Sequence, residues 1–245
     1  MTAQSPNKAL FGRQSGLYLR IRKIFRSYPE WRFAPPRVQI RRGMERLGSE
    51  YGGYYLDPTH IDQNSTVYSL GVGEDISFDL AMISRFGLHI HAFDPTPRVK
   101  TWLASQDLPE EFHFHDVGIA DFDGDGTFYL PPRQDYISHS LIRARQYSRD
   151  SIQVPMIRLR TAMQRLGHNR IDLLKVDIEG AEYAVLHELV QERIPVTQIL
   201  VEFHHRLSSV GTRPTRRTLS LLEDYGMRVC HVCPRMEIFT LVRTA

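Results

Sequence analysis

The 245-residue sequence has only two cysteines, Cys230 and Cys233. Two are too few for a disulfide framework, which fits a reducing compartment. They form C-H-V-C inside an apolar run, with no second pair to complete a zinc site, and on a strand this spacing turns them to opposite faces. Both are expected to be buried, inert thiols. Long hydrophobic runs are missing too: no stretch approaches the roughly 18 apolar residues of a membrane-spanning helix. The opening MTAQSPNKALFGRQSG has no apolar signal-peptide core. The expectation is a soluble, cytoplasmic protein. Repeats and low-complexity segments are absent, and 42% apolar with 24% charged residues excludes a disordered, collagenous or coiled-coil chain.

The net charge of +3 conceals an asymmetry, because residues 1–50 carry +8 and the other 195 residues carry −5. Residues 8–27 place Leu10, Leu17, Tyr18, Ile21, Ile24 and Phe25 at helical spacing, with arginines mostly off that stripe. Such a basic amphipathic helix can meet an anionic membrane surface, bind nucleic acid, or pack on the protein's own core. Gly12 and Gly16 weaken an autonomous helix and favour packing. The predicted organisation is a basic extension over 1–48 and one domain over 49–245. Peripheral membrane contact through the extension stays open, and no nucleic-acid partner is expected.

After a connector with Pro35-Pro36 and Gly52-Gly53, short β-rich runs alternate with helical ones. Strands are predicted over 66–72, 88–94, 112–119, near 154–160, and over 171–178, 198–205, 227–233 and 237–243. Helices are predicted over 77–87, after Pro97, and over 161–167, 181–192 and 215–226. This is a doubly wound α/β pattern with an antiparallel last pair. The run Asp121-x-Asp123-x-Asp125-Gly126 matches half of a calcium loop, but Pro132 stands where its glutamate belongs, so a hairpin turn is expected.

Open α/β sheets bind ligands beyond the carboxyl ends of their strands, where the strand order reverses. The first strand runs into Ser69-Leu70-Gly71-Val72-Gly73-Glu74-Asp75, whose glycines allow a tight turn and close approach of a ligand. A dinucleotide fingerprint wants a third small residue where this chain has Ile76, after two acids, which disfavours a pyrophosphate there. Asp94, followed by Pro95, is placed to accept both hydroxyls of a ribose; the alternative is a helix cap. Asp116-Val117 can bond an adenine amino group and cover its ring. Together these strand ends describe a nucleoside site lined by carboxylates. S-adenosylmethionine is the ordinary cofactor with a nucleoside, no phosphate and a sulfonium cation. The expected cofactor residues are Ser69, Gly71, Gly73, Asp75, Ile76, Asp94, Pro95, Asp116, Val117 and Asp177.

The stretches YGGYYLDP, VYSLGVGEDISFD, HAFDPTP and above all LLKVDIEGAEYAVL with ILVEFHH resemble the FkbM-type S-adenosylmethionine-dependent methyltransferases, over about residues 50–245. The resemblance implies a Rossmann-like class I methyltransferase fold: a seven-stranded, mostly parallel sheet with an antiparallel last strand and helices on both faces. It also implies methyl transfer, usually to a hydroxyl oxygen. The commoner family pattern has an acid at the position of Ser69 and a glycine at that of Asp75, and several members have Glu in place of Asp94.

Methyl transfer from a sulfonium is an in-line displacement, so the protein must chiefly align nucleophile and methyl group and find a place for the alcohol's proton. The candidates follow the fourth and fifth parallel strands: Asp177, Glu179 and Glu182, then Glu202, His204 and His205. Asp177 and Glu179 should face the same side, and either Glu179 or Glu182 could simply cap the helix. His204 is the expected general base, since its ordinary pKa suits proton acceptance at neutral pH. Asp177, Glu202 and His204 could also hold a divalent ion, and His89, His91, His113 and His115 alternate on neighbouring strands, but no metal is assigned. Tyr136, Ser138, His139 and Ser140 lie where a substrate loop is expected. The acceptor is expected to be a small-molecule or carbohydrate hydroxyl. A nicotinamide oxidoreductase and an adenine methyltransferase fit the motifs poorly; the alternative of another class is a non-catalytic nucleoside-, membrane- or partner-binding module.

Overall fold

The computed structural model describes residues 36–129, 150–207 and 210–244. The helix expected over 8–27 and the substrate loop with Tyr136, Ser138, His139 and Ser140 lie outside these residues. Among the described residues no helix is long and apolar enough to cross a membrane.

The chain enters through a short antiparallel hairpin, β1 (Glu45–Leu47) and β2 (Tyr54–Leu56). A doubly wound unit follows: β3 (Val67–Leu70), α1 (Ser77–Phe86), β4 (Ile90–Phe93), α2 (Pro97–Leu103) and β5 (Phe112–His115). Next come β6 (Gly118–Ala120), β7 (Gly124–Tyr129), β8 (Ser151–Arg158) and α3 (Leu159–Leu166). The second half has β9 (Ile171–Val176), α4 (Glu182–Gln191), β10 (Val196–Glu202), α5 (Thr212–Asp224), β11 (Met227–Val232) and β12 (Ile238–Arg243).

The main sheet has seven strands in the order β11-β12-β10-β9-β3-β4-β5, with β12 antiparallel to both neighbours. This is the Rossmann-like methyltransferase arrangement expected from the sequence. Its central strands are apolar on both faces because helices cover both. Val67, Ile90, Leu173 and Leu200 meet α1 and α2 through Phe78, Met82 and Val99. Tyr68, Leu174 and Ile199, one residue along, face α3, α4 and α5 through Met163, Leu186 and Leu222. Strand order reverses between β3 and β9, which sets the ends of both beside one crevice.

One strand expectation is corrected. The strand predicted over 112–119 breaks: Val117 N donates to His115 O at 2.8 Å in a tight turn, and β6 leaves to join β8 and β7 in a separate three-stranded sheet. Gly118 permits this, since a Cβ there would lie 2.6 Å from Met156 Sδ. Residue 48 lies within the β1–β2 hairpin, and Gln39 and Ile40 donate to Val229 O of β11. Asp123 takes the Arg158 N–H and the Thr161 hydroxyl at the start of α3, as a hairpin-side cap. Cys230 is buried, with its thiol pushed up to about 12 by burial, while Cys233 is only partly buried.

Candidate active site

At the end of β3 the chain turns through Gly71, with φ +79, and Gly73, with φ +62. Gly71 N donates to Phe93 O at 3.0 Å, and its carbonyl accepts from Lys175 Nζ at 2.7 Å. Gly73 has no heavy atom within 4 Å of a Cβ position, so its surface is open to a ligand. Asp94 braces this turn: Oδ2 accepts from Val72 N at 3.0 Å and Gly73 N at 3.2 Å, and Oδ1 accepts from Thr96 N at 2.9 Å. A carboxylate has about four acceptor positions, so Asp94 keeps about one for a ligand. The two-hydroxyl grip expected from the sequence meets a side chain already committed to the turn.

The β1–β2 hairpin folds over the same turn. Ser49 Oγ donates to Asp75 Oδ2 at 2.6 Å, Ser77 N donates to Asp75 Oδ1 at 2.9 Å, and Ser49 N donates to Ser77 Oγ at 2.7 Å. Although partial burial opposes it, the hydrogen bonds from Ser49 and Ser77 hold the Asp75 carboxyl below its ordinary range. Tyr54, 3% exposed, donates its hydroxyl to Asp177 Oδ2 at 3.0 Å. Burial first, then the charge of Asp177, raises the Tyr54 hydroxyl well above its ordinary value and keeps it a donor.

Beyond β9 and β10 the acids meet one histidine. His204 is 1% exposed; Nδ1 lies 2.7 Å from Glu182 Oε1, while Nε2 lies 3.3 Å from Glu179 Oε2 and 3.7 Å from Asp177 Oδ1. Asp177 and Glu179 thus face one side, as their spacing predicted, with Glu179 in a left-handed turn at φ +51. Glu182 Oε1 also accepts from Gly180 N at 2.9 Å and Ile178 N at 3.2 Å, so it caps its own helix while holding the imidazole. Burial pulls the His204 pKa down, but Glu182, then Glu179 and Asp177, outweigh it and push the value up to about 10.

The expected general base is therefore already protonated at neutral pH, because three carboxylates surround it. Glu202, beside Asp177 at the carboxyl end of β10, is also raised, by burial and then the Asp177 charge, to about 7. Arg206 pairs with Glu202 at 3.6 Å and with Glu237 at 3.2 Å. His205 turns away, with Nδ1 3.3 Å from Thr215 Oγ1 of α5.

Gly71, Gly73, Asp75, Asp94 and Asp177 therefore come together at one crevice. Ser69 and Ile76 do not present their side chains there, being 0% and 6% exposed beneath the turn. Pro95 is buried against Gly118, its Cγ 2.9 Å from a Cβ placed there. Asp116 is exposed beyond β5 and pairs with Lys100 Nζ at 2.5 Å, with Val117 partly buried next to it. Sequence reasoning missed Tyr54, Ser49 and Lys175. The signal for Lys175 was present, as a lone cation inside the apolar strand IDLLKV.

The alternating histidines form a stacked column at the β4–β5 edge. His89, His113, His91 and His115 follow one another at centroid spacings of 5.1, 5.1 and 5.4 Å. Ring nitrogens of His89 and His113 are 2.9 Å apart, and those of His91 and His115 are 3.1 Å apart. Among the described residues no group of three or more His, Cys, Asp or Glu side chains is placed to hold a metal ion.

The family model for the methyltransferase FkbM domain matches residues 53–229. Probable methyltransferase-like protein 24 of Homo sapiens is 30% identical over 141 residues, covering 56% of this chain and 32% of that protein. The Rattus norvegicus protein of the same name is 31% identical over 142 residues, with the same shares. The chain thus spans about a third of the length of these relatives. Among solved structures, methyltransferase FkbM from Methylobacillus flagellatus KT aligns with a TM-score of 0.45 at 13% identity, over 75% of this chain and 44% of that one. The fibrillarin pre-rRNA processing protein of Methanococcus jannaschii aligns with a TM-score of 0.45 at 9% identity, over 86% and 85%.

Proposed function

The chain belongs to the methyltransferase FkbM domain family, and from that premise we propose that it transfers a methyl group from S-adenosylmethionine to a hydroxyl oxygen of a small molecule or carbohydrate. The observation that carries this reading is the continuity of the open glycine turn with an acidic edge, where Asp177, Glu179 and Glu182 surround a single imidazolium and Glu202 lies beside them. Such an edge is negative overall and favours a cationic ligand over a phosphate.

The residues present fit that cofactor. The open face at Gly73 allows its close approach, Asp94 offers its remaining acceptor position to a ribose hydroxyl, and Asp177 offers charge to the amino group or the sulfonium. When bound, S-adenosylmethionine supplies an activated methyl group on a neutral leaving group. The chain's own work is alignment and proton removal. Tyr54 and His204 fix Asp177, and Glu182 fixes His204 through Nδ1. Glu202, rather than His204, takes the hydroxyl proton, because a carboxyl raised to about 7 is half ionised at neutral pH.

Calorimetric titration with S-adenosylmethionine and S-adenosylhomocysteine tests the reading, with Asp94→Asn alongside. Saturable binding, weakened about tenfold or more by the substitution, is expected, since a hydrogen bond to a charged group is worth about 1.5–3 kcal/mol. A folded protein that binds neither compound would instead be a non-catalytic member of the family.

A further inference from the structure

Beside the reactive edge an open cleft of about 560 Å³ runs between the three-stranded sheet and the starts of α4 and α5. Phe122 and Tyr129 line it from the sheet, Tyr183 and Ala184 line it from α4, and Asp121 and Asp125 stand in its wall. One end is formed by Gly180 and Ala181, which directly follow Glu179, whose Oε2 lies 3.3 Å from His204 Nε2. The cleft therefore ends next to Glu179, one of the three carboxylates around His204. Among the described residues that line it, none is Lys, Arg or His.

We propose that this cleft holds the methyl acceptor, and that the acceptor is an uncharged hydroxyl compound with an apolar, ring-sized body. The inference rests on the methyl-transfer reading and adds the class of substrate. Aromatic and aliphatic walls with a few polar groups suit a small apolar ligand. Asp121 and Asp125 accept hydrogen bonds from hydroxyl groups and repel phosphate or carboxylate, and among the described residues no cation in the wall compensates. Phosphorylated sugars, nucleotide sugars and anionic lipid headgroups are thus rejected by charge, which is selection against the wrong partner as much as for the right one. A glycoside of an apolar ring meets both requirements, with the ring on Phe122, Tyr129 and Tyr183 and sugar hydroxyls toward the two aspartates.

The test compares 2-naphthyl β-D-glucoside with 2-naphthyl phosphate, titrated into the whole protein and followed by ligand fluorescence. Ala184→Trp fills the cleft from α4, Thr127→Trp fills it from β7, and Asp121→Asn/Asp125→Asn removes the charge. The glucoside is expected to saturate, with each tryptophan variant weakening it at least tenfold. The phosphate is expected to bind at least tenfold more weakly than the glucoside, and the doubly substituted protein to narrow that gap below threefold. S-adenosylhomocysteine affinity, measured on every variant, is expected to stay within twofold, which also shows each to be folded. A glucoside that fails to saturate, binds both folded tryptophan variants unchanged, or is matched by the phosphate overturns the proposal. If S-adenosylhomocysteine does not bind the unmodified protein while the glucoside pattern holds, the methyl-transfer reading fails and the cleft stands as a binding site on its own.

Discussion

Gly71 and Asp177 approach so closely that a Cβ on the glycine would sit 1.7 Å from the aspartate's carbonyl oxygen. The glycine turn and the acidic edge are thus in backbone contact, and the one holds the other in place. Gly71→Ala combines this collision with a left-handed φ of +79, so a loss of at least about 3 kcal/mol is expected, from overpacking and backbone strain together. Gly73→Ala has φ +62 but open space, so about 1–2 kcal/mol is expected. Denaturant melts of the two variants check the order; equal losses would contradict it.

Lys175 joins the same pair from below, reaching Gly71 O while its charge offsets that of Asp79. Asp79 is 1% exposed, and its carboxyl is raised by burial. Lys175→Met leaves a buried acid without its cation and a turn without its brace. A destabilisation of about 3–5 kcal/mol is expected, largely recovered by Asp79→Asn in the same chain. Thermal melts of the single and double variants decide whether the two residues act as a pair.

His204 should stay protonated well above its ordinary pKa, and imidazole nitrogen shifts followed from pH 6 to 10.5 would show it. With the folded value raised from 6.5 to about 10, its contribution to stability is fully present below 6.5 and is lost as pH rises through 10. Glu182→Gln removes the largest favourable charge, so the His204 value should fall. A His204 that titrates near 6.5 in the unmodified protein would restore it as the resting base.

The histidine column should make the protein sensitive to acid. Burial and then its neighbouring histidines lower His91 to about 3, and burial lowers His115 as well. The folded state therefore binds fewer protons than the unfolded chain below about pH 6.5, and stability falls as pH drops from there toward 3. His91→Phe keeps a stacked ring and removes the proton site. Urea midpoints at pH 7 and pH 5 should differ less in that variant than in the unmodified protein.

Much of this could be read along the chain because the strands are apolar on both faces and the helices periodic. The acids at the ends of β3, β4 and β9 were legible for a related reason: in this fold, place in the sequence fixes place at the crevice. What escaped depends on groups far apart. Tyr54 meets Asp177 across 123 positions, and no local pattern announces such a contact. The charge of His204 follows from three carboxylates gathered by a helix start and a strand end, so its residue type alone pointed to the opposite protonation state. The split of 112–119 turned on a two-residue turn inside an apolar run, where periodicity gives no warning.

Strand β12 lies between β10 and β11, both of which precede it in the chain. During translation, Val196–Glu202 and Met227–Val232 therefore emerge from the ribosome before the strand that joins them. Until Ile238–Arg243 arrives, each presents unpaired backbone groups on an apolar ribbon, a template for association with another nascent chain. The half of the sheet that carries Glu202 and His204 is thus completed only once Ile238–Arg243 has been made, and until then that half relies on protection from association.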